Sequence, residues 1–198
     1  MQLSPVTTKE AASALRNCPL VAVDLGFSNT AKSCGVAHYS EGGTLHTEEL
    51  TFADAVAAVA GSVRSSRECV LILEAPLSAA FDEKGNPCPR HDIERSDPPR
   101  WWSIGAGAAM ALAALHFCRR LHDRSPADVR LNLVEGFVTG DKSKDHSTVA
   151  GRLVKAFLGE HPAQWFPVAC EGQIVSITEW FRAPSGTDCP VILKPKRA

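Results

Sequence analysis

The sequence lacks the features of a membrane, secreted or zinc-finger protein. No apolar signal core occurs in residues 1–16, and the longest apolar stretch, 104–115, is mostly Ala and Gly and too short to span a bilayer. The seven cysteines are an odd number, widely spread and without a CxxC pair. We therefore expect reduced thiols, no zinc site, no membrane partner and a cytoplasmic location.

An excess of charge is also missing. The net charge of −1 gives no global attraction to nucleic acid, although a local basic face stays compatible with this value. Internal repeats and low-complexity tracts are absent, and a hydrophobic content of 44% argues against intrinsic disorder. With 198 residues, the chain is expected to form a single domain over 1–198 with a sizeable core.

What the sequence does contain is three short apolar runs that each end in an acidic residue. The run 20–23 leads into Asp24, the run 69–73 into Glu74, and the run 129–134 into Glu135. Runs this short and rich in β-branched residues indicate strands buried on both faces. Because α/β proteins place their chemistry beyond the carboxyl ends of such strands, these three acids are candidates for a functional site.

The rest of the chain predicts the element order β-β-β-α-β-α-β-α. Strands are expected over 20–24, 33–39, 44–50, 69–74, 129–135 and 173–177, and helices over 7–16, 52–64, 101–122 and 145–158. Short links predict antiparallel pairing of the first three strands, and two crossover units follow them. A Pro-rich and charged insertion at about 75–100 and a basic C-terminal tail complete the domain.

This order and its acids resemble the ribonuclease-H-like superfamily. The stretch 21–37, with a strand, an aspartate, a Gly-containing turn and a second strand, is similar to the start of RuvC-type resolvases. The Glu-Ala-Pro-Leu of 74–77, the Arg-rich link after it and the Glu-Gly of 171–172 resemble an uncharacterised family of predicted ribonuclease-H-like nucleases. The resemblance covers about 19–178. It implies an α/β fold whose mixed sheet has three antiparallel strands, then parallel strands, flanked by helices.

The strand-end acids also predict a divalent-metal site on chemical grounds. Carboxylates that stand a few ångströms apart repel each other, and hard cations bound through oxygen neutralise them. Two such ions can stabilise the attacking and leaving oxygens of phosphodiester hydrolysis. We expect Mg²⁺ or Mn²⁺ on a cluster formed by Asp24, Glu74, Glu135 and Asp145, with Asp141 in reserve for the last position. His146 would assist the leaving oxygen or position the water.

Two of these acids have structural alternatives. Asp145 could serve only as the cap of the helix that it opens, and Glu135 could pair with Lys142 or Lys144. Asp24 is harder to explain in this way, because a lone acid after four buried apolar residues has little structural use.

Substrate contacts are expected from the turn after the first strand and from the insertion. Arginines interleaved with aromatic residues suit phosphate contacts and base stacking. The candidates are Ser28, Asn29, Arg90, Arg95, Arg100 and Trp101. The alternative is that the arginines pair with the insertion's own acids, Asp92, Glu94 and Asp97, while Trp101 and Trp102 anchor the following helix.

Together these patterns predict a metal-dependent nuclease that binds nucleic acid. Two other classes of function stay open. The stretch 24–30 also resembles the first phosphate loop of actin-like and sugar-kinase ATPases, and a non-catalytic module could bind a partner through the same face. Whether the substrate is DNA or RNA, and whether the chain forms a homodimer, is left open by the sequence.

Overall fold

A mixed sheet between two layers of helices is the centre of the fold. The computed structural model describes residues 1–26, 28, 31–40, 42–95, 102–103, 105–138, 145–170, 172–181 and 189–196. The strands are β1 (Gln2–Pro5), β2 (Leu20–Asp24), β3 (Cys34–Tyr39), β4 (Leu45–Leu50), β5 (Glu68–Glu74), β6 (Ser78–Phe81), β7 (Arg130–Gly136), β8 (Ala163–Phe166), β9 (Gln173–Ser176) and β10 (Ile192–Pro195). The α-helices are α1 (Lys9–Ala14), α2 (Phe52–Ser65), α3 (Gly107–Arg124) and α4 (His146–Leu158).

The main sheet has the strand order β4-β3-β2-β5-β7-β10-β8. Strands β2, β3 and β4 pair antiparallel, whereas β5 pairs parallel with both β2 and β7. The predicted antiparallel pairing of the first three strands is therefore confirmed. The free side of β7 is shared by β1 and β10, and β6 pairs with β9 in a separate two-stranded sheet.

The alternation of side chains along the central strands separates two cores. One face of the sheet packs on α2 and α3 and includes Val23, Leu73 and Leu133. The opposite face packs on α4 and includes Ala22, Ile72 and Val134. Because successive residues of a strand point to opposite faces, this division decides which of the strand-end acids can meet.

The helix starts follow from local chemistry. The hydroxyl of Thr51 accepts a hydrogen bond from the Asp54 backbone N–H at 3.2 Å and donates one to the Asp54 carboxylate at 2.7 Å, so Thr51 caps α2 and the predicted start of this helix at residue 52 is confirmed. The prediction for α3 was wrong at its start: the helix begins at Gly107 instead of 101. Gly105 has a φ of 61°, which is a left-handed conformation that no α-helix contains.

Some short strands were not predicted. The insertion 75–100, in which no strand or helix was predicted, contains β6 and a 3₁₀ turn over Asp92–Arg95. Strands β1, β8 and β10 have only four residues each. Among the helices that the structure describes, none combines the length and the apolar character needed to cross a membrane.

Candidate active site at the carboxyl end of the central strands

Three acids and one glycine form a row across four neighbouring strands. Glu74 on β5 is the register partner of Asp24 on β2, Asp24 of Gly35 on β3, and Gly35 of Glu49 on β4. Register partners on neighbouring strands lie about 4.8 Å apart and point to the same face of the sheet. The side chains of Asp24 and Glu74 are therefore neighbours, as the sequence predicted.

Gly35 lets α4 approach this row. A Cβ atom at residue 35 would lie 1.9 Å from the carbonyl carbon of His146 and 2.3 Å from the backbone nitrogen of Ser147. No larger residue fits at this position unless the helix moves. The absent side chain thus places the first turn of α4 directly over the strand that lies between Asp24 and Glu49.

His146, the first residue of α4, reaches Asp24. Its Nδ1 atom lies 2.9 Å from Oδ2 of Asp24. The Asp24 side chain is 10% exposed, whereas 44% of the His146 side chain faces solvent. An ionised Asp24 accepts the hydrogen bond, so Nδ1 carries the proton and Nε2 is the nitrogen left for other chemistry. The predicted proximity of His146 to the first strand-end acid is present.

The ionised form of Asp24 is disfavoured in this environment. Burial is the main cause that raises the pKa of Asp24, and the negative charge of Glu49 raises it further. The charge of His146 and its hydrogen bond act in the opposite direction without cancelling the rise. A cation bound beside Asp24 would therefore stabilise its ionised form.

Glu49 is the site residue that the sequence analysis missed. Its Oε1 accepts a hydrogen bond from the backbone N–H of Ser147, one of the first N–H groups of α4, which have no partner within the helix. The register of the β3–β4 hairpin is the signal that would have found it, because this register sets Glu49 opposite Gly35. Glu74, at the other end of the row, accepts a hydrogen bond from the backbone N–H of Val138 at 3.2 Å.

Asp145 is the N-cap of α4. Its Oδ1 accepts hydrogen bonds from the backbone N–H of Thr148 at 2.7 Å and from the hydroxyl of Ser147 at 3.0 Å. Hydrogen bonds with Thr148 lower the pKa of Asp145, so the exposed carboxylate is ionised as a cap should be. The predicted position of Asp145 at the start of α4 is confirmed, and its hydrogen bonds are those of a helix cap, which was the structural alternative.

The expectation that Glu135 converges with Asp24 was wrong. Glu135 follows Val134, which faces α4, so its own side chain points to the opposite face, toward the core of α2 and α3. There its two oxygens accept hydrogen bonds from the guanidinium of Arg90 at 2.7 and 2.8 Å, and Oε2 also accepts the backbone N–H of Leu77 at 2.8 Å. Glu135 is therefore neutralised by an arginine and does not belong to the Asp24 row.

Arg90 likewise cannot be the substrate contact that the sequence suggested. Its side chain is fully buried, between Glu135 and Glu94. Glu94 accepts from Nη2 at 2.7 Å and from Nε at 3.1 Å, and the hydroxyl of Ser78 accepts from Nη1 at 3.1 Å. Burial opposes the charge, but Glu135 and Glu94 outweigh it and raise the pKa of Arg90 above its ordinary value. The alternative pairing of Arg90 with Glu94 is the one observed.

The remaining predicted contacts are dispersed or lie outside the description. Arg95 is exposed on the 3₁₀ turn, and Ser28 is exposed in the loop after β2. Trp102, beside one of the predicted residues, packs edge-on against Phe81 with ring centres 5.4 Å apart. Outside the described residues lie Asn29, Arg100, Trp101, Asp141, Lys142 and Lys144.

The donors at this edge suit one hard cation better than a preformed cage. Asp24 and Glu74 offer adjacent carboxylate oxygens, which are the ligands that Mg²⁺ and Mn²⁺ prefer. Within the residues that the structure describes, no group of three or more His, Cys, Asp or Glu side chains is arranged to hold a metal ion. The predicted four-acid, two-ion cluster is thus reduced to the Asp24–Glu74 pair.

Comparison with known proteins adds no family to this picture. Neither the models of known protein families nor the curated protein sequences include a match to this chain. The function therefore has to be argued from the row of acids itself.

Proposed function

We propose that this protein is a divalent-metal-dependent nuclease with a ribonuclease-H-like fold. The order β4-β3-β2-β5-β7, with three antiparallel strands followed by two parallel ones, supports the fold assignment. It matches the arrangement that the resemblance implied for the sheet. Nucleic acid is accordingly the proposed partner, and Mg²⁺ or Mn²⁺ the proposed cofactor.

The observation that carries the proposal is the register pair Asp24 and Glu74. The two carboxylates stand on adjacent parallel strands and on one face, and the largely buried Asp24 is hydrogen-bonded to a partly exposed histidine. Mg²⁺ is commonly held by one or two carboxylates together with water and substrate phosphates, without an all-protein cage. Asp24 and Glu74 fit this donor set. A bound ion would supply charge stabilisation to phosphodiester hydrolysis.

His146 is proposed to handle a proton beside this pair. The hydrogen bond from Nδ1 to Asp24 holds the ring in place and fixes which nitrogen remains for the substrate. Because almost half of the side chain is exposed, Nε2 can approach a phosphate oxygen or a water molecule from the solvent side. Asp24 then has two tasks, to bind the cation and to orient the imidazole.

Cleavage assays on single- and double-stranded DNA and RNA test the proposal. We expect Asp24→Asn and Glu74→Gln each to lower the Mn²⁺-dependent rate by at least about 100-fold, since residues that merely support a metal ligand already cost about 10- to 100-fold. The matched control is Glu68→Gln, which changes an acid at the opposite end of the same strand β5 and should cut at the parent rate. Cleavage by Asp24→Asn at the parent rate would refute the assignment.

Thermal melting with added ligands separates this proposal from the two alternatives. A rise in melting temperature with Mg²⁺ or Mn²⁺ alone, lost in Asp24→Asn, is expected for the nuclease. A rise that requires ATP as well would favour the ATPase alternative. No rise with any of these ligands would favour a non-catalytic binding module.

A further inference from the structure

A second feature of the molecule lies apart from the acid row and involves two thiols. Cys88 and Cys170 both line an open cleft of about 730 Å³, together with His91, Arg95 and Lys84. Each of the two is partly exposed and is a free thiol. By contrast Cys34, Cys69 and Cys118 are completely buried, and burial raises the pKa of Cys69 and of Cys118 to about 12, which makes those core thiols unreactive.

The backbone brings the two segments together. The N–H of Ala169 donates a hydrogen bond to the carbonyl oxygen of Arg90 at 3.0 Å, so the residues just after Cys88 lie beside the residue just before Cys170. The N–H of Cys88 is bonded to the carbonyl oxygen of Ala80 at 2.9 Å, and the thiol of Cys170 donates to the carbonyl oxygen of Gln173 at 3.7 Å. Both cysteines are thus held by the β6–β9 sheet.

The two side chains also lie near each other. Both thiols line the same cleft, and Cys170 is the neighbouring group that acts most strongly on the Cys88 thiol. Burial and the neighbouring Cys170 sulfur raise the pKa of the Cys88 thiol, while the charge of Arg95 counteracts part of the rise. Two thiols on segments that are joined by a backbone hydrogen bond, in a cleft that a small molecule can enter, are a suitable starting arrangement for a disulfide.

We propose that Cys88 and Cys170 are a modification site that forms an intramolecular disulfide with a low-molecular-weight disulfide as the oxidant. One of the two thiolates attacks a sulfur of the oxidant, forms a mixed disulfide and releases one thiol. The other thiolate attacks the protein sulfur of this mixed disulfide, closes the Cys88–Cys170 bond and releases the second thiol. Two electrons pass from the protein to the oxidant, and the two protein thiol protons end on solvent or on the released thiols.

The disulfide would link the segment that carries Arg90 covalently to the segment around residue 170. It would close a loop between residues 88 and 170 and secure covalently what the Ala169–Arg90 hydrogen bond now holds. Cross-links that close long loops stabilise most in the chain-entropy account. The oxidised protein should therefore melt at a higher temperature than the reduced one, by about 5 °C or more for a chain of this size.

The experiment treats the folded 198-residue chain with oxidised glutathione, blocks the remaining thiols with N-ethylmaleimide, and digests the protein with trypsin without reduction. The sequence places Cys88 alone in the peptide 85–90 and Cys170 alone in the peptide 156–182. We expect these two peptides to be linked, the protein to migrate as a monomer on a non-reducing gel, and the rise in melting temperature to be reversed by dithiothreitol.

Variants establish the site. Cys88→Ser and Cys170→Ser should each lose the linked peptides and the rise in melting temperature, whereas Cys18→Ser, which changes a partly exposed thiol elsewhere, should keep both. Glutathione bound to single cysteines without linkage, a link formed only in urea, or a link between two copies would overturn the proposal. Because these three outcomes are read in the parent protein, they decide the matter even where a serine variant folds poorly.

Discussion

Two groups of acids lie at the same carboxyl edge of the central sheet, on opposite faces. On the α4 face, Asp24 and Glu74 are register partners and Asp24 is hydrogen-bonded to the partly exposed His146. On the face of α2 and α3, Glu135 and Glu94 enclose the guanidinium of Arg90, and all three side chains are buried. Each group includes an acid that ends one of the short apolar runs, yet only the second group is neutralised by an internal arginine.

The difference shows how to recognise a functional acid in this fold. Glu135 and Glu94 form several charge-assisted hydrogen bonds with an internal cation, so little attraction for an external one is left. Burial raises the pKa of Asp24 as well, but among the described residues its partner is the partly exposed His146 and not a guanidinium. Position at a strand end therefore selects candidates, while the internal partner decides which of them can bind a metal ion.

Removing the cation from the buried group should have the largest effect. We expect Arg90→Met to lower the free energy of unfolding by about 3–5 kcal/mol, because two buried carboxylates then remain without their counterion. Urea denaturation followed by circular dichroism measures this. Arg95→Met, on the exposed end of the same 3₁₀ turn, is the control and should change stability by no more than about 0.5 kcal/mol.

Two further substitutions sharpen this prediction. Adding Glu94→Gln and Glu135→Gln to Arg90→Met removes both uncompensated charges, so part of the lost stability should return. If Arg90→Met and Arg95→Met were equally mild, Arg90 would not neutralise the two acids, and the contrast between the faces would be lost.

Much of the fold follows from sequence patterns, and the exceptions have physical reasons. The strands β2 and β5 contain continuous apolar runs and β7 is rich in buried apolar residues, so local pattern detects all three, and the cap formed by Thr51 identifies the start of α2. Strands β1, β8 and β10 are only four residues long, and each pairs with a strand far away in sequence. No local signal can reveal such pairs.

The site residues also fall into those that local pattern reveals and those that depend on the register of the strands. Asp24, Glu74 and His146 were predicted because they stand next to recognisable elements. The error at Glu135 arose because the period of a strand tells which residues share a face but not which face that is. Only the register with β5, where Leu73 is the partner of Glu135, settles this. Glu49 was missed because an acid on a half-exposed strand looks like an ordinary surface residue.

Filling the space at Gly35 should have an intermediate effect on stability and should disturb only the site on the α4 face of the sheet. Gly35→Ala adds a methyl group 1.9 Å from the His146 carbonyl carbon, so the start of α4 must move away from the sheet. We expect a loss of about 1–3 kcal/mol in stability and a loss of nuclease activity, since His146 leaves Asp24. Thermal unfolding and the cleavage assay measure the two quantities.

Gly61→Ala is the matched control for this change. A Cβ at residue 61, on α2, meets no atom within 4 Å, so this substitution should stabilise the protein by up to about 1 kcal/mol through helix propensity. Equal effects of the two glycine variants would mean that the close approach of α4 to β3 does not position His146.

The smallest change in stability is expected for Asp24→Asn. The sign of this change distinguishes Asp24 from the buried acids on the opposite face of the sheet. The folded protein raises the pKa of Asp24 above the unfolded value of about 3.9, so in the window between these two values the folded state binds more protons. Stability consequently falls as the pH rises through this window, and the loss of stability is complete above the folded pKa.

Asp24→Asn removes the ionisation and should melt at most about 3 °C higher than the parent at neutral pH, with the gain vanishing at acid pH. Melting curves across this pH range, with Glu68→Gln as the baseline, measure it. Higher stability together with lost cleavage is expected only for an acid kept for a metal ion, whereas a variant less stable than the parent at neutral pH would place Asp24 in the same structural class as Glu135.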